Sequence, residues 1–158
     1  MSRELITSWN DYQAAIDRLL AMASQKICIY DEDLTQLRLD SENRQNALKR
    51  LLHGGRNETL QIAVRNAVPL SRQNPLLVGL LTTYSHLAAA QQTPPQLAHL
   101  RDSMLLIDGK HALIRFEQDQ PRSKLLIDEA EELRPYLLRF GEIWSEGGEP
   151  VRNTALGL

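Results

Sequence analysis

A chain of 158 residues is long enough for one domain, spanning 1–158, that buries roughly two thirds of its unfolded surface. Its 42% hydrophobic and 24% charged residues are ordinary for a soluble globular protein, and a formal charge of −2 argues against a dedicated nucleic-acid binder. No stretch approaches the ~20 apolar residues of a membrane helix, and "MSRELITSWNDYQ" lacks the apolar core of a secretory signal.

The first element is a helix. Ser8, followed three residues later by Asp11, gives a capping-box-like start, and Tyr12, Ile16, Leu19 and Ala23 recur at helical spacing over residues 9–23. "KICIY" reads as a short buried strand. Its Cys28 is the only cysteine, so no internal disulfide forms; a buried structural thiol is expected, and cytoplasm is the expected compartment. A second helix near 41–53 places Ala47, Leu48, Leu51 and Leu52 on one stripe and ends at Gly54-Gly55, a pair suited to a left-handed helix end. "TLQIAV" is a second strand.

Asn74-Pro75 supplies a cap and a first-turn proline for a third helix, with Leu76, Leu77, Leu80, Leu81 and Tyr84 expected inward. "HLAAAQ" is a weaker strand, followed by a Pro-Pro loop. "SMLLI-DG-KHALIRF" is then two apolar runs joined by Asp-Gly, the strongest short hairpin signal. A two-residue turn sets Ile107 opposite Lys110, Leu105 opposite Ala112 and Ser103 opposite Ile114. On the other face Leu106 meets His111 and Met104 meets Leu113. Both faces are mostly apolar, so the hairpin is expected inside the sheet. "SKLLID" offers one more strand. The last helix carries Leu137, Phe140, Ile143 and Trp144, and Pro135 is expected to start or kink it. The tail "EPVRNTALGL" has no period and is expected to pack as an extended end. The strand–helix alternation predicts an α/β fold, a mixed sheet of about 5–7 strands with helices on both faces and a central Asp-Gly hairpin.

Charge is segregated. Residues 38–72 hold seven Lys/Arg against three Asp/Glu, and residues 117–149 hold four against nine. Such flanks suit solvated helix faces, head-to-tail pairing of two copies, or an anion. Around the hairpin, Arg101, His111, Arg115 and Arg122 supply cations, and two or three of them can hold a phosphate. His111 and Arg115 share a face with Leu113; His111 also reads as a hairpin-end residue, and Asp119 as a loop residue bonding its own backbone. Asp31, Glu32 and Asp33 lie past a strand end, where α/β sheets often bind ligands. Adjacent side chains in extended chain point apart, and His53, His86 and His99 show no ligand spacing, so no metal and no cofactor are expected. No Gly-x-Ser-x-Gly and no phosphate-cradling Gly loop occurs.

This order of elements, closing on a hairpin and a C-terminal helix, resembles one half of the phospholipase D superfamily. That signature is a His, a Lys two positions later, and an Asp five positions after that, followed by Gly. The imidazole attacks phosphorus to form a phospho-histidine, the Lys neutralises phosphoryl oxygens, and the Asp orients its neighbours. Two halves face each other, within one duplicated chain or as a dimer. Aligned on Asp108-Gly109, Arg101 stands at the His position and Ser103 at the Lys position; "IRFEQDQPRSK" replaces the downstream Gly-Ser and Asn. A guanidinium does not lose its proton and cannot be the nucleophile. The ending "LLRFGEIWSEGGEPVRNTALGL" and the run "RFEQDQPR" look like an uncharacterised group of small bacterial proteins, standing alone or appended to acetyltransferase-like domains.

The resemblance implies a phospholipase D-like half without catalysis, a homodimer acting as a binding or interaction module. Its anion-binding candidates are Arg101, Ser103, Asp108, His111, Arg115 and Arg122, for a phosphate-containing small ligand. Two alternatives stand beside it. One is a phosphodiesterase or phosphotransferase using His111, and the other an accessory domain to an acetyltransferase-like protein partner.

Overall fold

In the computed structural model, which describes residues 1–151, the apolar runs form the middle of one eight-stranded mixed sheet. The amino-terminal half holds β1 (Ser2–Ile6), α1 (Trp9–Met22), β2 (Ile27–Asp31), α2 (Glu42–His53), β3 (Leu60–Val64), α3 (Val68–Gln73) and α4 (Pro75–Thr83). Then come β4 (Ala88–Gln92), β5 (Ser103–Ile107), β6 (His111–Arg115), β7 (Ser123–Ile127), α5 (Ala130–Ser145) and β8 (Glu149–Pro150). The strand order is β1-β7-β6-β5-β2-β3-β4-β8, with β2, β3 and β4 parallel and the other pairings antiparallel.

This topology brings the ends of seven strands and the start of α1 to one end of the sheet. The carboxyl ends of β2, β3, β4 and β6 meet the amino ends of β5 and β7 there, and Ile6 of β1 lies opposite Ser123, delivering Trp9 and Tyr12 of α1 to the same end. Within the central strands, Ile27, Ile29, Leu105, Ile107, Leu113, Leu125 and Ile127 pack with the helices α1, α2 and α4. Tyr30, Met104, Leu106, Ala112, Ile114 and Leu126 turn the other way, toward Leu133, Phe140 and Ile143 of α5. Helices therefore cover both faces, as the near-continuous apolar runs require. Cys28 is buried, and burial pushes its thiol up to about 11. No helix among the described residues is long and apolar enough to cross a membrane.

Several expectations are corrected. The sheet has eight strands rather than five to seven because β1 and β8 join its edges. Arg3, Glu4 and Leu5 of β1 are exposed, so main-chain pairing with β7 holds this strand and no apolar alternation announces it. β8 pairs with Gln91 and Gln92, and glycine is required just before it: a side chain at Gly148 would strike the Gln92 carbonyl. The rest of the expected extended tail, residues 152–158, lies outside the described residues. Gly54 has φ −101°, so α2 ends without a left-handed residue. Asn74 makes no side-chain cap; the Asp40 carboxylate accepts from the N–H of Leu76 (2.9 Å) and Leu77 (3.0 Å) instead. With that anchor Leu76 stands outside, 56% exposed, and Tyr84 is half-buried, while Leu77, Val78, Leu80 and Leu81 face the core. The last helix begins at Ala130, five residues before Pro135, held by buried Leu133 and by Glu132 pairing with Arg3 and Lys124.

The hairpin register is the largest correction. Asp108 (φ +56°) and Gly109 (φ +69°) both take left-handed conformations, and the Lys110 N–H donates to the Ile107 carbonyl at 3.0 Å. The ladder nevertheless pairs Ile107 with His111, Leu105 with Leu113 and Ser103 with Arg115, leaving a three-residue loop. A one-residue slip exchanges faces. In the expected register Lys110 would enter the buried ladder, whereas here it is exposed in the turn and its carbonyl accepts from Glu129 N–H at 2.9 Å. The same slip puts Arg115 and Ser103 on one face.

Candidate functional site

The C-terminal residue of β2 is Asp31, in phase with Ile27 and Ile29 and therefore pointed into the face covered by α1, α2 and α4. Its carboxylate is 1% exposed. Oδ1 accepts from Ser103 Oγ at 2.5 Å and from Arg115 Nη2 at 2.7 Å. Oδ2 accepts from the N–H of Leu34 at 2.7 Å and Asp33 at 3.2 Å, bending the chain away from the strand. Arg115 is 1% exposed and donates from Nη1 to the Tyr12 hydroxyl at 2.9 Å. Its guanidinium lies 5.0 Å from the Tyr12 ring centre and 5.6 Å from that of Trp9. Burial raises the Tyr12 phenol to about 12, against the pull of the neighbouring Arg115 charge, so it stays protonated. Arg115 Nε is buried with no partner among the described residues.

Around this buried pair runs an exposed rim. Arg101 donates to Glu117 Oε1 from Nε at 2.9 Å and from Nη2 at 2.5 Å, and to Asp119 Oδ2 at 3.1 Å. The Arg101 hydrogen bond holds the Glu117 carboxyl below its ordinary range. Arg65, leaving β3, lies 5.0 Å over the Tyr30 ring and donates to the Leu100 and Asp102 carbonyls and to Gln118 Oε1 (2.8 Å). Arg139 of α5 grips Asp102 with both terminal nitrogens. Phe116 is 45% exposed beside them, and Arg122 is exposed with no acidic partner among the described residues.

The six anion-binding candidates thus fall into three groups. Ser103 and Arg115 meet, but on Asp31 in the interior. Arg101 and Arg122 lie at the rim of the same end. Asp108 and His111 sit at the turn end of the hairpin, four strand residues or about 13 Å from Arg115. Asp108 accepts from the N–H of Ser24 (3.0 Å), Gln25 (2.8 Å) and Lys26 (2.8 Å) and from Ser24 Oγ (3.1 Å). His111, 8% exposed, accepts the Asp128 N–H on Nδ1 at 2.8 Å, which puts the proton of a neutral ring on Nε2.

Of the acidic triplet, Asp31 turns inward and Asp33 Oδ1 accepts the Thr35 N–H at 3.0 Å. Glu32 stays at the strand end, its carboxyl pushed up by burial against the pull of Arg65. Among the described residues no three His, Cys, Asp or Glu side chains gather to hold a metal ion. Sequence reasoning missed Asp31 as the partner of Arg115, and Tyr12 and Trp9 as its aromatic walls. The signal was period two: Asp31 and Arg115 each continue the inward phase of an apolar strand.

The fold has known counterparts. TrmBL2, an archaeal chromatin protein whose structure "shows a novel mode of DNA binding", superposes with a TM-score of 0.66 at 14% identity over 96% of this chain; this chain spans 55% of TrmBL2. Nuc, a phospholipase D family member from Salmonella typhimurium, gives 0.62 at 9% identity over 96% of this chain and 99% of its own. NucT from Helicobacter pylori gives 0.59 at 13% identity, covering 96% and 98%. The fold is phospholipase D-like. No curated protein matches the sequence. A family profile does, over residues 8–154, and the chain belongs to that family, described as a domain of unknown function (DUF7931).

Proposed function

We propose that the chain is a non-catalytic phospholipase D-like module, residues 1–158 forming one unit that works in the cytoplasm by binding. The observation that carries this reading is Ser103, at the position of the family's Lys: it is 1% exposed and donates to an Asp31 that Arg115 already neutralises. No ammonium is offered to a phosphoryl group there, and the Arg101 side chain at the His position cannot attack phosphorus. His111 is too distant to replace it. The intact protein is expected to leave bis(p-nitrophenyl) phosphate and duplex DNA unhydrolysed and to gain no phosphoryl adduct by mass spectrometry. Turnover that vanishes in His111→Gln overturns the reading in favour of relocated catalysis.

The binding role is best supported at the rim, where Arg122 and exposed Phe116 stand together. Resemblance to a superfamily of paired halves supports a homodimer across this end. Light scattering is expected to give about twice the monomer mass of 18.0 kDa, and a Phe116→Asp variant to halve it; a wild-type monomer removes the shared cleft. The likeness to small bacterial proteins appended to acetyltransferase-like domains supports an accessory role toward a partner chain. TrmBL2 makes duplex DNA the other occupant to test: binding lost at moderate salt with Arg122→Ala selects DNA over a protein partner.

A further inference from the structure

We propose that a second site, a cavity between the sheet and α5 at the turn end of the hairpin, binds a small amphipathic carboxylate. The cavity measures about 370 Å³, within the range of small-ligand sites. It lies at the opposite end of the sheet from the Asp31–Arg115 pair, so its failure would leave the reading above untouched.

Leu137 of the α5 wall, half-buried, offers apolar surface for a ring or short chain, backed by buried Leu106 of the floor and Phe140. Two polar groups open into the same space. Gln61 is 6% exposed; its Oε1 faces Cys28 Sγ at 3.8 Å, and its Nε2 donates to no group among the described residues. With Oε1 facing the Cys28 thiol, the Nε2 group is left available to an acceptor bound in the cavity. Lys26 is half-buried at the rim and has no acidic partner within ion-pair distance among the described residues. The one carboxylate nearby, Asp108, has both oxygens filled by the Ser24–Lys26 segment. A donor and an unpaired ammonium over an apolar slot select a carboxylate with an apolar body.

Gly141 is the third observation. It stands inside α5, where glycine weakens a helix relative to other residues. A Cβ added there would meet nothing within 4 Å, so packing does not require glycine. Gly141 lines the cavity, so the missing side chain leaves that part of its wall clear.

The test uses the intact protein with 4-phenylbutyrate and its neutral analogue 4-phenylbutanol, followed by calorimetry and saturation-transfer NMR. 4-Phenylbutyrate is expected to bind and to slow alkylation of Cys28. Lys26→Gln should weaken the carboxylate about tenfold and leave the alcohol unchanged. Gly141→Leu should abolish binding of both while thermal unfolding stays level or rises, since leucine favours the helix. Absence of binding to the wild-type chain overturns the proposal. So does full binding by Gly141→Leu, or equal weakening of acid and alcohol by Lys26→Gln.

Discussion

Arg115→Met is expected to destabilise the protein by about 3–5 kcal/mol, because it strands the Asp31 carboxylate in the interior. Asp31 is 1% exposed, and without the guanidinium its Oδ1 keeps only the Ser103 hydroxyl. Domains of this size hold about 5–15 kcal/mol in total, so the variant should unfold at low urea. The charge, rather than lost packing, is the cause, and a double variant separates the two. Arg115→Met with Asp31→Asn removes both charges, and the asparagine oxygen still serves the Leu34 N–H that Asp31 Oδ2 serves now. Methionine fills the slot against Trp9 and Tyr12 that the guanidinium occupies. The double variant should recover most of the loss, which a double-mutant cycle reads as a coupling of at least about 3 kcal/mol. A single variant within about 1 kcal/mol of wild type, by urea unfolding followed by circular dichroism, would show that the pair does not hold the strand end together.

That pair also explains why the fold was more legible than the site. Buried runs such as "KICIY", "TLQIAV" and "SMLLI" declare strands because both faces of the central sheet are covered, and Asp-Gly declares the turn between β5 and β6. Register is a different matter. A two-residue turn and a three-residue loop both accommodate Asp108-Gly109 at positive φ, and the choice falls to distant partners: Arg115 reaching Asp31, 84 positions away, and Lys110 leaving the core. The α4 cap is hidden for the same reason, since Asp40 acts from 36 positions away while Asn74 stands adjacent and makes no cap bond. β1 hides because it is held by main-chain pairing at an edge, which no side-chain pattern records. In the sequence Asp31 reads as one of three acids past a strand end, and Arg115 as one of several cations around the hairpin. Their shared inward phase, once the register is right, is what makes one the counter-ion of the other.

Asp108→Asn is the second large expected loss, about 2 kcal/mol at neutral pH. The Asp108 carboxylate joins the hairpin turn to the α1–β2 connection through three N–H donors and a hydroxyl, while the Asp108 N–H donates to the Lys26 carbonyl at 2.9 Å. Charge-assisted bonds of this kind contribute about 1.5–3 kcal/mol each, and asparagine keeps one acceptor oxygen for part of them. Asparagine also tolerates φ +56°, so the backbone adds nothing to the loss; Asp108→Ala should cost about 1 kcal/mol more for that reason. The sign of the pH dependence follows from the carboxyl's position. Burial pushes its pKa up, but the donors from Lys26, Gln25 and Ser24 outweigh burial and hold it below the ordinary value of 3.8. A depressed native pKa means the stabilisation is present above the unfolded value and disappears as pH falls through the native one. Wild-type stability should therefore fall on acidification below about pH 4, and Asp108→Asn should flatten that fall. Parallel curves for the two proteins between pH 5 and pH 2 would mean that the carboxylate's charge does not fasten the hairpin to its neighbour.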